Sequence, residues 1–253
     1  MRVSAILMAG LLGTASAMAE TMDGVLGWAG AVEMGVPVSG VITEVAVRPG
    51  QQVRAGDRLL SLDSTEFEAQ LASARATENE ARHDKAEAER ELARAMELYD
   101  RTVLSDHDRQ IAEIGAARAG AAWHRARATL TGAEQALRYS RLEAPFNGIV
   151  LDVLARPGEV VVSQLRVAPL LRLAPSERMT VRALATPQQL GALRLGQSVE
   201  VGVGGRWLPA TISALGLEPL PDTPAPRHTV EATFERGDQL PLLVGGAAAI
   251  RYP

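Results

Sequence analysis

From Gly40 to Gly50 apolar and polar residues alternate. Val41, Thr43, Val45 and Val47 fall on one face, Ile42, Glu44 and Ala46 on the other, and the run closes on Arg48-Pro49-Gly50. Period-two alternation stopped by Pro-Gly predicts a strand entering a tight turn, because Pro presets φ and Gly accepts a positive one. A second turn, Arg54-Ala55-Gly56-Asp57, precedes a short strand over 58–62. The phrase returns without a gap as Gly148-Ile149-Val150-Leu151-Asp152-Val153-Leu154-Ala155-Arg156-Pro157-Gly158. Both copies then reach an apolar step, Leu59-Leu60-Ser61-Leu62 and Leu170-Leu171-Arg172-Leu173. A self-similar pair marks one structural unit used twice, and two copies are too few for a solenoid. The halves are therefore expected to pack on each other, which makes the intervening chain an insertion.

That insertion, 64–141, lacks proline and is dominated by Ala, Glu, Arg and Leu, a helix composition. Asp63 or Ser64 is placed to cap a first helix, with Glu66 in its first turn. Phe67, Leu71, Ala74, Ala81, Ala88, Leu92, Ala95 and Tyr99 recur on a four-three spacing, with Glu78 and Lys85 filling two seam positions. Ala112, Ala116, Ala119, Trp123, Ala126, Leu130, Ala133 and Leu137 repeat that spacing. Two adjoining 3.5-residue periodicities predict an antiparallel coiled-coil hairpin with arms of roughly 50–55 Å. The first helix is mainly acidic and the second mainly basic, so facing edges either attract or are simply solvated. The reversal is expected between Tyr99 and Asp108, where Ser105-Asp106-His107-Asp108 has capping-box spacing.

After Leu173 short alternating runs predict strands over 179–185, 197–203, 207–215, 229–234 and 247–252, with a short helix over 187–193. Gly204-Gly205, the proline-rich 219–226 and Gly245-Gly246 separate them, a spacing that suits a small barrel.

Composition narrows the functions available. The 253-residue chain has a net charge of -4, which gives no general attraction for nucleic acid. It has no cysteine, hence no disulfide, thiol nucleophile, thiolate metal site or lipid-acceptor thiol. Arg2, the apolar stretch Val3 to Ala15 and Ala17-Met18-Ala19 read as an export signal cleaved before Glu20, with an uncleaved anchor as the alternative. No later stretch is long and apolar enough to span a bilayer. The mature protein is expected outside the cytoplasm.

A mixed α and β chain ordered as half β-unit, helical hairpin, half β-unit and β-barrel resembles the periplasmic adaptors, or membrane fusion proteins, of tripartite efflux pumps. Ser39 to Leu62 and Leu142 to Leu173 look like a split lipoyl-type domain, re-entered through Leu142-Glu143-Ala144-Pro145-Phe146-Asn147-Gly148. Leu195-Gly196-Gln197-Ser198-Val199-Glu200-Val201 and Leu243-Val244-Gly245-Gly246-Ala247 resemble the barrel phrases. The resemblance implies a signal peptide over 1–19, a barrel-contributing segment over 20–38 and lipoyl-like halves over 39–63 and 142–174. A hairpin over 64–141 and a barrel over 175–253 complete the division. It also implies an Arg-x3-Leu-x6-Ser docking pattern at the tip, met here by Arg94, Leu98 and Ser105. Arg would supply several donors, Leu an apolar anchor and Ser a cap or a bond across the contact. The implied partners are an inner-membrane transporter of the RND type, an outer-membrane channel and further copies in a ring, a hexamer by the resemblance. An ABC-type exporter or type I secretion system is the alternative machine. The chain stops just after the last barrel phrase, so the membrane-proximal domain of many relatives is expected to be absent or rudimentary.

Other classes are disfavoured by chemistry. His83, His107, His124 and His228 are scattered, and Asp106-His107-Asp108 is the one tight cluster, so no catalytic site is expected. A lipoyl or biotin carrier needs an acceptor lysine on the turn between its halves, yet the only lysine, Lys85, lies inside the insertion. Met22 and Met34 are the thioethers that a soft-metal carrier would use, but two isolated methionines read as ordinary apolar residues. No cofactor and no metal are expected.

Overall fold

The computed structural model describes residues 20–163, 168–221, 224–237 and 244–252. The export signal over 1–19, and Leu243 of the second barrel phrase, lie outside the described residues. In chain order the elements are β1 (Glu20–Trp28), β2 (Val32–Met34), β3 (Gly40–Val45), β4 (Gln52–Val53), β5 (Arg58–Leu62), α1 (Thr65–Asp100), α2 (Asp106–Tyr139), β6 (Arg141–Glu143), β7 (Gly148–Val153) and β8 (Val160–Val161). There follow β9 (Leu171–Pro175), β10 (Arg178–Ala185), α3 (Pro187–Ala192), β11 (Ser198–Val203), β12 (Arg206–Leu215), β13 (His228–Glu235) and β14 (Ala247–Tyr252). The chain divides into two compact units, Ala31–Ala174 and one formed by the segments on either side of it.

In the unit Ala31–Ala174 the two repeats build one core. Its sheets, β2-β9-β7-β4 and β6-β5-β3-β8, each mix strands from both copies. The linking hydrogen bonds are themselves repeated. Ile42 N–H donates to Glu159 O and Val150 N–H to Gln51 O, each at 2.9 Å, while Gly158 N–H donates to Ile42 O and Gly50 N–H to Val150 O, each at 2.8 Å. Each half thus completes the other's sheet, and neither could satisfy its strand edges alone. The turns are cut from one pattern: Gly50 and Gly158 take φ of 85° and 86°, and Gln51 and Glu159 accept the Arg48 and Arg156 N–H groups at 3.1 Å. Ile42, Leu59, Leu60, Val150, Leu171 and Leu173 fill the space between the sheets.

The alternation expected along the first strand is interrupted. Ile42 is buried, and so is Val47, although strict alternation puts them on opposite faces. The cause is a register shift between Ile42 and Glu44 against β5, which turns the rest of the strand over. Val41 consequently faces out with Val160, its partner across β3 and β8.

The insertion is the antiparallel pair α1 and α2. Strands β5 and β6 are neighbours, and Leu62 N–H donates to Ser140 O at 2.8 Å, so the hairpin leaves and re-enters the sandwich at one point. Of the two candidate caps on α1, Asp63 serves: its carboxylate accepts the Thr65 N–H at 3.0 Å, which holds its pKa below the ordinary range. Ser64 makes no cap and donates to Glu68 instead. As far as Ala95 the seam runs as its spacing predicts, with Ala74, Ala95 and Ala126 buried. Trp123 is the bulky member of its α2 side; its Nε1–H donates to Glu78 at 2.8 Å, and Lys85 Nζ lies 4.3 Å from the ring centroid. Attraction between facing charged edges is not what joins the helices. Among the described residues a single pair, Arg75 with Glu134 at 4.0 Å, bridges them, and its signs oppose those expected; the other hairpin ion pairs lie within one helix.

In the other unit six antiparallel strands close a barrel in the order β1-β10-β13-β12-β11-β14. Alternation places Met179, Val181, Val201, Ile212, Val230 and Ile250 inside. Met22 sits in this core, 3% exposed, as an apolar filler. Thr186 and Gln189 form a reciprocal capping box that starts α3. Among the described residues no helix is long and apolar enough to cross a membrane.

Candidate functional site at the hairpin tip

Helix α1 stops at Asp100 and α2 starts at Asp106. Thr102 N–H donates to Tyr99 O at 2.8 Å and Val103 N–H to Leu98 O at 3.0 Å, the paired closure that ends a helix when the next residue turns left-handed. That residue is Thr102, with φ of 59°. Glycine normally takes this position, and a β-branched side chain there costs about 1–2 kcal/mol. Ser105 then caps α2: its Oγ accepts the Asp108 N–H at 3.2 Å and donates to Asp108 Oδ2 at 2.6 Å.

Only two of the three expected docking residues share a surface. Arg94 is 64% exposed and reaches Glu91 Oε1 at 2.7 Å. Leu98 is half-buried beside it, in a groove of about 360 Å³ lined also by Glu91, Arg94, Ala95, Leu104, Asp108, Ile111 and Ala112. Ser105 does not line this groove, and its hydroxyl is occupied in the cap. The seam ends one residue earlier than its spacing predicts, at Leu98 in place of Tyr99. Because α2 begins at Asp106, no apolar seam residue of α2 meets Tyr99; the Arg109 guanidinium lies over its ring, and Tyr99 is 39% exposed.

The sequence reading missed two further features. Arg109 stacks over the Tyr99 ring at 5.2 Å and pairs with Asp106 at 2.9 Å and Glu113 at 3.3 Å. The bond to Asp106 holds its guanidinium above its ordinary pKa. Arg109 is thus committed within its own chain, whereas Arg94 and Arg101 are each more exposed and tied to a single glutamate. Val103 stands at the apex and is 72% exposed. The Asp106-His107-Asp108 cluster is taken up locally, Asp106 by Arg109 and Gln110, and Asp108 by Ser105. Among the described residues no group of three or more acidic, histidine or cysteine side chains could hold a metal ion.

A sandwich built from two half-repeats around a helical hairpin, with a closed six-stranded barrel as a second unit, is the fold of a membrane fusion protein. The membrane fusion protein Spr0693 of Streptococcus pneumoniae R6 shares it with a TM-score of 0.69 at 17% identity, over 91% of this chain and 97% of that one. The chain belongs to the CzcB-like, barrel-sandwich hybrid domain family, which matches residues 31–170. It is 28% identical over 180 residues to the macrolide export protein MacA of Escherichia coli O157:H7, covering 66% of this chain and 48% of MacA. It is also 28% identical over 208 residues to the pyoverdine export membrane fusion protein PvdR of Pseudomonas putida KT2440, covering 75% of this chain and 53% of PvdR. The chain spans about half the length of the curated relatives it matches.

Proposed function

We propose that the chain is a non-enzymatic periplasmic adaptor that links an inner-membrane efflux transporter to an outer-membrane channel. The observation that carries this reading is the hairpin itself. Its helices of 36 and 34 residues extend about 50 Å, far more than closing one sandwich requires, and carry an exposed Arg94 near a free end. The export names of MacA and PvdR support the same role. The transporter is of the RND type in this reading, with an ABC-type exporter or type I secretion system as the alternative. Copies assemble as a ring, because one narrow tip cannot seal a conduit. Export follows removal of residues 1–19, which leaves the mature chain in the periplasm at the inner membrane.

Docking uses Arg94 and Leu98, with Ser105 shaping the start of α2. Affinity purification from chemically crosslinked envelopes, with mass spectrometry of the captured proteins, should return a transporter and an outer-membrane channel and identify the transporter's class. Recovery of neither overturns the adaptor reading. Arg94→Asp combined with Leu98→Glu should abolish channel capture, as the loss of two anchors costs several kcal/mol, ~2–4 each. Leu98 is half-buried, so the melting temperature is measured alongside. Unchanged capture by a normally melting double variant removes the tip from the contact.

A further inference from the structure

Val103, 72% exposed, is the most exposed large apolar residue of the hairpin, and none of the described residues of its own unit covers it. The paired closure that ends α1 commonly brings the residue after the left-handed position back onto the helix as an apolar contact. Here the carbonyl of Leu98 accepts the Val103 N–H, yet the Val103 side chain stays in solvent, while Leu104 takes the place beside Leu98 in the groove. A β-branched residue in the left-handed region, followed by an outward valine, is an arrangement stability alone does not favour. Such strain gathers where a fixed local geometry is used.

We propose that Val103 is the apolar anchor with which each hairpin enters its partner, and that Thr102 is the positioning residue that fixes Val103 outward. This rests on the docking reading above. The occupant is one apolar pocket on the outer-membrane channel, sized for a branched aliphatic side chain and rimmed by basic groups. Charge at the apex specifies that rim. Glu97, Asp100, Asp106 and Asp108 outnumber Arg101 and Arg109. Both guanidiniums are already held, Arg101 by Glu97 at 2.5 Å and Arg109 by Asp106 and Glu113. No ion pair engages Asp100 among the described residues, so a basic rim meets net negative charge around an apolar centre.

The test places a photo-crosslinking residue at position 103, and separately at position 96, where Met96 is exposed and has no docking role, in the full-length protein inside cells carrying the whole pump. Adducts are identified by mass spectrometry. A channel adduct from position 103 is expected. Channel adducts from 96 but not 103 overturn the anchor and leave the docking reading standing, whereas none from either position overturns both. Adducts from 103 only to a second copy of this chain, or only to the transporter, also overturn the anchor. With the crosslinker at 96, Val103→Asp should lower channel capture roughly thirtyfold, the scale of a hot-spot anchor, and Val103→Ile should stay within about threefold. Equal capture by Val103→Asp rejects the proposal. Thr102→Asn, which tolerates the left-handed region, should keep capture, while Thr102→Pro, whose φ is fixed near -65°, should lose it at unchanged helicity. If Thr102→Pro unwinds the hairpin, Thr102→Asn decides: a folded Thr102→Asn that no longer captures channel removes the positioning role.

Discussion

Replacing Gly148 with alanine separates the two copies of the repeat. A Cβ on Gly148 would stand 2.4 Å from the Ala174 carbonyl oxygen and 3.2 Å from Phe146 Cε2. Close carbon–oxygen contacts lie near ~3.3 Å, so the backbone must give by about 0.9 Å. It has little room to do so, because β7 lies between β9 and β4 in one sheet. Overpacking a tight core costs about 1–3 kcal/mol, and an obstacle made of backbone puts this site at the upper end, about 3 kcal/mol. Gly40 opens the first copy at the equivalent position, but its Cβ would meet Leu62 Cδ1 at 3.3 Å, a side-chain atom that can rotate away. Gly40→Ala should therefore cost about 1 kcal/mol or less. Native-state hydrogen exchange at the Val150 amide, which bonds across the copies to Gln51 O, reads the difference. Gly148→Ala should speed that exchange roughly a hundredfold, and Gly40→Ala by less than about tenfold. Equal effects at the two glycines, or both within about threefold of wild type, would refute the reasoning.

Because β5 and β6 pair directly, replacing residues 64–140 by a two- to four-residue turn should leave a folded sandwich with dispersed amide resonances; a disordered spectrum shows that the halves need the hairpin. Trp123→Ala should lower hairpin stability by about 3 kcal/mol in urea melts followed at 222 nm, whereas Trp123→Phe loses chiefly the bond to Glu78, about 1 kcal/mol; equal losses contradict that division. The Asp63 pKa is depressed in the folded state, so its contribution is present above the unfolded value and lost as pH falls through the folded one. The stability gap between wild type and Asp63→Ala should narrow as pH drops below about 4, and a gap constant to pH 2 excludes the cap.

The repeated phrase was legible because period-two alternation ending at Arg-Pro-Gly admits few local structures, and its recurrence implied a shared core. The shift between Ile42 and Glu44 was not, since it depends on how β3 meets β5 rather than on any residue's preference. The hairpin seam could be read as far as Ala95, where both helices are present. Beyond that point the start of α2 decides which side of α1 is covered, so Leu98 and Tyr99 exchanged roles. Thr102 carried a signal that went unread. A reversal this short needs a left-handed residue, yet 99–105 holds neither glycine nor asparagine, so some side chain had to accept the strain.

Ser105 shows how a pattern match and a structure can assign one residue different work. Its hydroxyl accepts the Asp108 N–H and donates to Asp108 Oδ2, so a docking bond through it would have to break the cap of α2. Arg94 carries no such penalty, since its tie to Glu91 is an exposed pair worth at most ~1 kcal/mol. Ser105→Ala should therefore act through folding, lowering hairpin stability by about 1 kcal/mol. Ser105→Asn supplies a cap without a hydroxyl, so it should restore both the melting temperature and channel capture. If Ser105→Asn melts like wild type but no longer captures channel, the hydroxyl belongs to the contact and the cap is secondary. Recovery of both places the docking energy on Arg94 and the apolar apex, with Ser105 holding the helix end on which they are displayed.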